Sequence, residues 1–205
     1  TKVLIIFTIF FNLNITSAQD YGNLQYALSG YSYRSVGPAF MSGRIADIAI
    51  DSNNENVWYV AVGSGGVWKT KNAGTTWMPL TDNMPFYSTG SVTIDPNDSS
   101  RIWVGTGENV AGRHVGIGHG IYLSKDSGST WDNMGLKKSE HISKIIVHPD
   151  NSDIIWVASQ GPLWNSGGER GLFMSNDGGN TWSNKLYVNE WTGVTDIIID
   201  PTNPD

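Results

Sequence analysis

Gly120-Ile-Tyr-Leu-Ser-Lys-Asp-Ser-Gly-Ser-Thr-Trp131 is one of three near-copies of a single pattern in this chain. The others are Gly66-Val-Trp-Lys-Thr-Lys-Asn-Ala-Gly-Thr-Thr-Trp77 and Gly171-Leu-Phe-Met-Ser-Asn-Asp-Gly-Gly-Asn-Thr-Trp182. Each is a glycine-led apolar run that enters a polar turn and ends on Thr-Trp. A unit repeating at roughly 50 residues cannot bury its faces alone, so it must stack on its neighbours.

A second periodic element has the same phase. Ile48-Ala-Ile-Asp51, Val92-Thr-Ile-Asp95, Ile145-Ile-Val-His148 and Ile197-Ile-Ile-Asp200 each run into a turn rich in Pro, Asn, Asp and Ser. After the first three turns come Val57-Trp-Tyr-Val-Ala-Val62, Ile102-Trp-Val-Gly105 and Ile154-Ile-Trp-Val-Ala158. Short β-branched and aromatic runs broken by Gly, Pro, Asn and Asp are strand signals. Each repeat therefore predicts four strands, A to D, and no helical periodicity of useful length interrupts them. The fold class read from this is all-β, a β-propeller of four-stranded antiparallel blades. The blades fall at about 42–82, 90–135 and 142–187, with the first strand of a fourth from 194. The chain then reads as part of a longer propeller, whose remaining blades are its first expected partner.

The polar turns carry a family resemblance. Ser124-Lys-Asp-Ser-Gly-Ser-Thr-Trp131 and Ser175-Asn-Asp-Gly-Gly-Asn-Thr-Trp182 resemble the Asp box of BNR repeats, and Thr70-Lys-Asn-Ala-Gly-Thr-Thr-Trp77 is the same with Asn72 in place of Asp. Such boxes occur in sialidases, xyloglucanase-type glycoside hydrolases and the sortilin propeller. From Tyr33 onward the chain looks most like large exported bacterial proteins with a sortilin-like propeller, often labelled glycosyl hydrolases. Arg34-Ser-Val-Gly-Pro-Ala-Phe-Met-Ser-Gly-Arg44 and Gly161-Pro-Leu-Trp-Asn-Ser-Gly-Gly-Glu-Arg-Gly171 add to that likeness. One fold hosts many activities, so the resemblance implies architecture more strongly than chemistry.

The box residues have a structural explanation that needs no ligand. Asn72, Asp126 and Asp177 are expected to accept hydrogen bonds from backbone N–H groups a residue or two further on. Gly74, Gly128 and Gly179 would take the positive-φ position, and Trp77, Trp131 and Trp182 would pack between blades. We read all nine as scaffold.

Residues 3–11 form an apolar run after Lys2 and before Thr16-Ser-Ala-Gln19. That pattern predicts a signal peptide over 1–18, cut after Ala18, with a lead-in segment from 19 to 41 and export as its consequence. The run is too short to span a membrane, which takes about 20 residues. With no Cys, these 205 residues hold no disulfide, thiolate or Cys-type zinc chemistry. A net charge of −6 without any Lys/Arg run argues against nucleic acid or an anionic membrane as partner.

Strand order sorts the loops. The A–B and C–D turns share one rim; the longer B–C and D–A loops share the other, where propeller ligands commonly sit. The candidate ligand-binding residues all fall on that second rim: Arg44, Glu108, Arg113, His114, His119, His141, Trp164, Glu169, Arg170 and Trp191. Glu108, His114 and His119 have metal-ligand chemistry but no fixed two-His spacing, so neither metal nor cofactor is expected. Glu169–Arg170 and Glu140–His141 read as loop-bracing pairs. Trp164 and Trp191 read either as sugar-stacking platforms or as rings tucked beneath their loops.

Glycoside hydrolysis usually needs two carboxylates about 5–10 Å apart. The xyloglucanase resemblance implies a catalytic Asp just before the Gly-Gly that opens strand C of the first blade. Here that segment is Val62-Gly63-Ser64-Gly65-Gly66, and Gly63 can neither donate nor accept a proton. The sequence therefore favours an exported module that binds a peptide, protein or glycan. The alternative is a glycoside hydrolase with a rearranged carboxylate pair, in which Glu108 or Glu140 would be the substitute acid/base, although nothing in the sequence pairs either with a second carboxylate.

Overall fold

The computed structural model describes residues 44–109, 115–200 and 202–204. The leader, the lead-in segment, Arg113 and His114 lie outside those residues. Twelve strands form three four-stranded antiparallel sheets in strict sequence order, and no helix occurs among the described residues. The first sheet holds β1 (Ile45–Ile50), β2 (Trp58–Val62), β3 (Gly66–Thr70) and β4 (Met78–Pro79). The second holds β5 (Thr89–Asp95), β6 (Asp98–Thr106), β7 (Ile121–Ser124) and β8 (Asp132–Asn133). The third holds β9 (Ile142–His148), β10 (Asn151–Ser159), β11 (Gly171–Ser175) and β12 (Ser183–Leu186). The first strands β1, β5 and β9 lie side by side without pairing, which makes each sheet a blade with its A strand innermost. Polar links join these inner strands: Thr93 Oγ1 donates to the Ile145 carbonyl at 2.8 Å, and Lys144 Nζ lies 3.6 Å from Asp47 Oδ2.

The core lies between blades. Tyr59, Ala61 and Val67 of the first blade meet Val92, Ile102, Val104 and Tyr122 of the second. Trp103, Ile121 and Leu123 of the second meet Ile145, Val147, Ile155, Val157 and Phe173 of the third. The C-strand residues Tyr122 and Phe173 point back toward the preceding blade, and their counterpart Trp68 packs on Val60 and Val62 on the corresponding face of the first blade. Strand pairing alternates faces, so their strand neighbours point forward. Among those neighbours Lys69 is buried where Leu123 sits in the next repeat. Its ammonium donates to the Ser127 carbonyl at 3.0 Å and lies 4.7 Å from the centre of the Tyr59 ring, and burial lowers its pKa.

The tryptophans of the B strands are not equivalent. Trp58 pairs with Thr70, whereas Trp103 and Trp156 pair with Leu123 and Met174, one residue before the corresponding Ser124 and Ser175. A one-residue offset turns a side chain to the opposite face. Trp103 therefore points forward and meets Trp182 edge-on at 6.5 Å, while Trp58 points backward and meets Trp77 at 6.4 Å. Tyr59 takes the forward-facing place of Trp103 in the first blade.

Each C–D turn is closed from within. Asp126 Oδ1 accepts from the Thr130 amide at 2.8 Å and from Ser124 Oγ at 2.8 Å, and Oδ2 accepts from the Thr130 hydroxyl at 2.6 Å. Asp177 repeats this with Thr181 and Ser175. The backbone partners thus lie three and four residues on, not the one or two expected, because two consecutive left-handed residues (Ser127 φ 59°, Gly128 φ 95°) fold the chain back over the carboxylate. Asn72 Oδ1 accepts from the Thr76 amide, but its Nδ2 donates to the Thr76 hydroxyl at 2.9 Å. A hydroxyl both gives and takes, which is why Asn substitutes for Asp here. In all three blades the residue after the Asp or Asn donates its N–H across to the A–B side: Ala73 to Asn56, Ser127 to Ser100 and Gly178 to Asp153. Trp131 and Trp182 pack against the preceding blade's core, while Trp77 covers Val60, Val62 and Trp68 on the open face of the first blade. The chain from 194 to 200 follows β9 and β10 through Val194, whose N–H donates to Ser159, and has no strand partner among the described residues.

The Thr130 and Thr181 hydroxyls, with their amides, draw the carboxyls of Asp126 and Asp177 down to about 2. A folded-state value below the unfolded value of about 3.8 gives stability that is present above that pH and lost as pH falls toward 2. The double variant Asp126→Asn/Asp177→Asn, copying Asn72, should keep the fold and flatten the pH dependence of the melting midpoint between about pH 4 and 2. Asp126→Ala or Asp177→Ala should lower the midpoint at neutral pH. Unfolding followed by circular dichroism across that range checks both.

Candidate functional site

Backbone bonds across the B–C and D–A loops build the other rim. Gly65 and Gly66 donate to the Tyr87 carbonyl, Gly107 to Ser88, Gly118 to Glu140, Glu169 to Lys138, and Gly167 to Glu190. These links bring the first and second blades together around one buried carboxylate. Glu108 leaves the end of β6 with a side chain only 1% exposed. Ser64 Oγ donates to its Oε1, and the half-exposed Arg44 guanidinium forms an ion pair with its Oε2. Arg44 also accepts the Gly63 N–H on its carbonyl, so the two ends of this small site are tied through one residue.

Gly63 lies directly under the carboxylate. A Cβ at that position would meet Glu108 Cγ at 3.4 Å and Cδ at 3.5 Å. The side chain absent from residue 63 is thus replaced in space by one reaching over from the next blade. Gly116 lies on the far side, where a Cβ would collide with Ser88 Oγ. A Cβ at either place would lie only in van der Waals contact with Glu108, so it is Ser88 that demands glycine at 116.

His141 is part of the frame. It is buried, and Nδ1 lies 2.9 Å from the Glu108 carbonyl oxygen. A carbonyl only accepts, so Nδ1 carries the hydrogen and donates. Burial holds its pKa below the ordinary histidine value. The expected Glu140–His141 pair does not form its own brace. Glu140 contributes a backbone at φ 59°, and its carbonyl accepts from Gly118 at 2.7 Å. His119 is exposed and is held by its backbone, donating to Thr106 Oγ1 at 2.7 Å and accepting from Asn133 Nδ2 at 3.0 Å.

Arg170 and Glu169 also part company. Arg170 is 4% exposed, and its five N–H groups donate to the carbonyls of Gly167, Gln160, Trp191, Pro162 and Asn165 at 2.7 to 3.2 Å. A fork whose donors are all engaged by backbone is a structural brace and has none left for a ligand. Glu169 instead accepts from the Lys138 amide at 2.7 Å. Trp164 and Trp191 stand out from the braced loops, 69% and 65% exposed. Two residues outside the sequence candidates belong to this rim. Ser64 was hidden in a glycine run, and Tyr87, 65% exposed in a polar loop, carried only the weak signal of a lone aromatic. Among the described residues no group of three or more His, Asp or Glu gathers as a metal set.

No family model matches the chain. Its sequence is similar to the xyloglucanase of Hypocrea jecorina, 27% identical over 191 residues covering 86% of this chain and 21% of that protein. It is also similar to the oligoxyloglucan-reducing end-specific xyloglucanase of Emericella nidulans, 25% identical over 176 residues covering 78% of this chain and 20% of that one. In structure it resembles an ancestral GH74 enzyme, with a TM-score of 0.62 and 21% identity over 79% of this chain and 21% of the other. The chain spans about a fifth of the length of these relatives. The structural likeness supports the propeller fold.

Breaking the Arg44–Glu108 pair should be asymmetric. Arg44→Ala leaves a carboxylate buried without its cation, whereas Glu108→Gln leaves a guanidinium that is already half in water. Discounted for that exposure, the first should cost about 1–3 kcal/mol and the second less than 1. Denaturant midpoints of the two variants measure the difference.

Proposed function

We propose that this chain is part of an exported, carbohydrate-active propeller that hydrolyses a β-linked polysaccharide of the xyloglucan class, with Glu108 as the carboxylate these blades supply. The observation that carries the reading is the place of Glu108, whose buried carboxylate lies against Gly63 beneath the loop rim. Support also comes from the xyloglucanases to which the sequence is similar. Hydrolysis of this class needs a second carboxylate across the scissile bond. In this reading it comes from outside the described residues. The three closed turns are read as Asp boxes of BNR-type repeats in a sortilin-like setting. Residues 1–18 are read as the leader that exports the protein, and 194–200 as the opening strand of the next blade.

A second reading is favoured by one specific feature. Both Glu108 oxygens are engaged, by Ser64 and by Arg44. A carboxylate held this way suits a module that grips a glycan or peptide and leaves it intact.

The full-length protein should release reducing sugar from xyloglucan, and Glu108→Gln should reduce that release at least about 100-fold, the lower range for losing a general acid or base. Saturable binding of xyloglucan with no sugar released by the wild type would reject hydrolysis and leave the binding module. A melting curve for the variant separates loss of chemistry from loss of fold.

A further inference from the structure

We propose that the seam between the first and second blades carries, on the turn rim, a site for a small organic carboxylate, with Lys69 as the residue that takes its charge. The site lies on the opposite rim from Glu108 and does not rest on the carbohydrate reading above. Both of its walls belong to described residues.

The site is a hollow of about 360 Å³ between β3 and β4 of the first blade and the closed turn of the second. Lys69, Lys71, Met78 and Leu80 line it on one side, Asp126 and Ser127 on the other. The two seams of the molecule are filled differently at this level. In the second seam the cross-strand pair is Trp103 with Leu123. The indole reaches the glycine of the facing turn, where a Cβ on Gly179 would meet Trp103 Cη2 at 2.5 Å. In the first seam the same two places hold Tyr59 and Lys69. The facing glycine, Gly128, has Leu80 and not the tyrosine as its nearest neighbour. An amine on a flexible stem thus stands where the next seam has a leucine.

The charge of Lys69 is not matched within the seam. The residue is only 7% exposed, yet among the described residues no carboxylate comes within 4 Å of its ammonium. An ammonium has three N–H donors. One goes to the Ser127 carbonyl at 3.0 Å, and the Tyr59 ring takes up a second direction. The neighbouring groups do not supply a counter-charge. Tyr59 donates to the same carbonyl at 3.3 Å, and burial raises its pKa, so the phenol stays neutral. Asp126 has both oxygens engaged inside its own turn by Ser124, Ser129 and Thr130. Asp51 is held by the Asn53 amide and acts on Lys69 only from beyond ion-pair distance. Burial, and then the positive charge of Lys71, lower the Lys69 pKa. Buried charges are ordinarily paired. A carboxylate in the hollow accepts the third N–H, pairs the charge and brings that pKa back up.

The walls select the kind of anion. Asp126 and the Ser127 carbonyl disfavour a multiply charged ion such as phosphate. A single carboxylate on a small apolar body presents one charge to Lys69 and lays its body on Met78, Pro79 and Leu80.

The test is equilibrium dialysis of the full-length protein against radiolabelled benzoate, with benzamide and inorganic phosphate run beside it. Wild type should bind one benzoate per chain, at least about tenfold more tightly than benzamide or phosphate, as expected for a charge-assisted contact. Lys69→Met, which places at 69 the side chain that the third repeat carries as Met174, should bind benzoate at least about tenfold more weakly. Lys125→Met, at the exposed counterpart of Lys71 in the second blade, should bind it as wild type does. Benzoate should also raise the melting midpoint of wild type and leave that of Lys69→Met unmoved. A measurement on wild type alone covers the case in which Lys69→Met fails to fold. Acetylation of the Lys69 amine by acetic anhydride, followed by mass spectrometry, should slow about tenfold at a benzoate concentration ten times its Kd, and not with benzamide. Benzoate bound no better than its amide or phosphate, benzoate held equally by Lys69→Met, or Lys69 acetylated at the same rate with and without benzoate would each overturn the site.

Discussion

The side-chain ring that closes each C–D turn is the interaction on which the rest depends. A carboxylate or carboxamide folded inside the turn takes hydrogen bonds from a hydroxyl two residues before it and an amide four residues after it. This closure lets two consecutive left-handed residues persist, one of them a serine in the second blade and an alanine in the first. With the turn closed, the following tryptophan is delivered to the preceding blade, and the N–H beside the carboxylate is delivered to the A–B side of its own blade. One local motif therefore ties strand C to strand D, the sheet to its own edge, and the second and third blades to the blade before each. Its energy is local and mostly solvent-exposed, whereas the burial it organises lies between sheets, where apolar contact dominates.

Period and turn chemistry made the fold legible. Glycine, Asp or Asn and Trp recur at fixed offsets, and each has a backbone reason for its place. Register was less so. The three B-strand tryptophans look equivalent in sequence, yet Trp58 is displaced by one position relative to Trp103 and Trp156 and faces the other way. The apolar run around it, Val57 to Val62, is hydrophobic at every position, so alternation gives no phase. Only pairing to the turn that begins at Thr70 sets it. Lys69 is a similar case: a charged residue in a strand reads as solvent-facing, but the Ser127 carbonyl of the next blade's turn and the Tyr59 ring of the adjoining strand receive its ammonium.

The candidate site was half legible. Loop order placed Glu108, His141, Arg170, Trp164 and Trp191 on one rim. It gave no measure of which face water, because burial in a loop depends on the neighbouring loop. Adjacency in sequence was a poor guide to partnership: Glu169 and Arg170 are consecutive, but one turns to Lys138 and the other into its own loop. Glu108 and Ser64 lie 44 residues apart, and the pair appears only when two blades meet.

That last distance has a consequence for how such a site is kept. A carboxylate borne by residue 63 would belong to the first blade and would keep its position for as long as β2 and β3 stayed paired. A carboxylate reaching over from residue 108 is positioned by the second blade, while its hydrogen-bond and ionic partners, Ser64 and Arg44, belong to the first. The site then depends on the inter-blade packing of Tyr59, Val67, Ile102 and Tyr122, so any loosening of that seam separates the charge from its counter-ion. Moving the acidic group across the seam couples whatever chemistry or binding it serves to the closure of the propeller. At 63 a Cβ would touch Glu108 at ordinary contact distance and a longer side chain would press on it, while at 116 even a Cβ would strike Ser88.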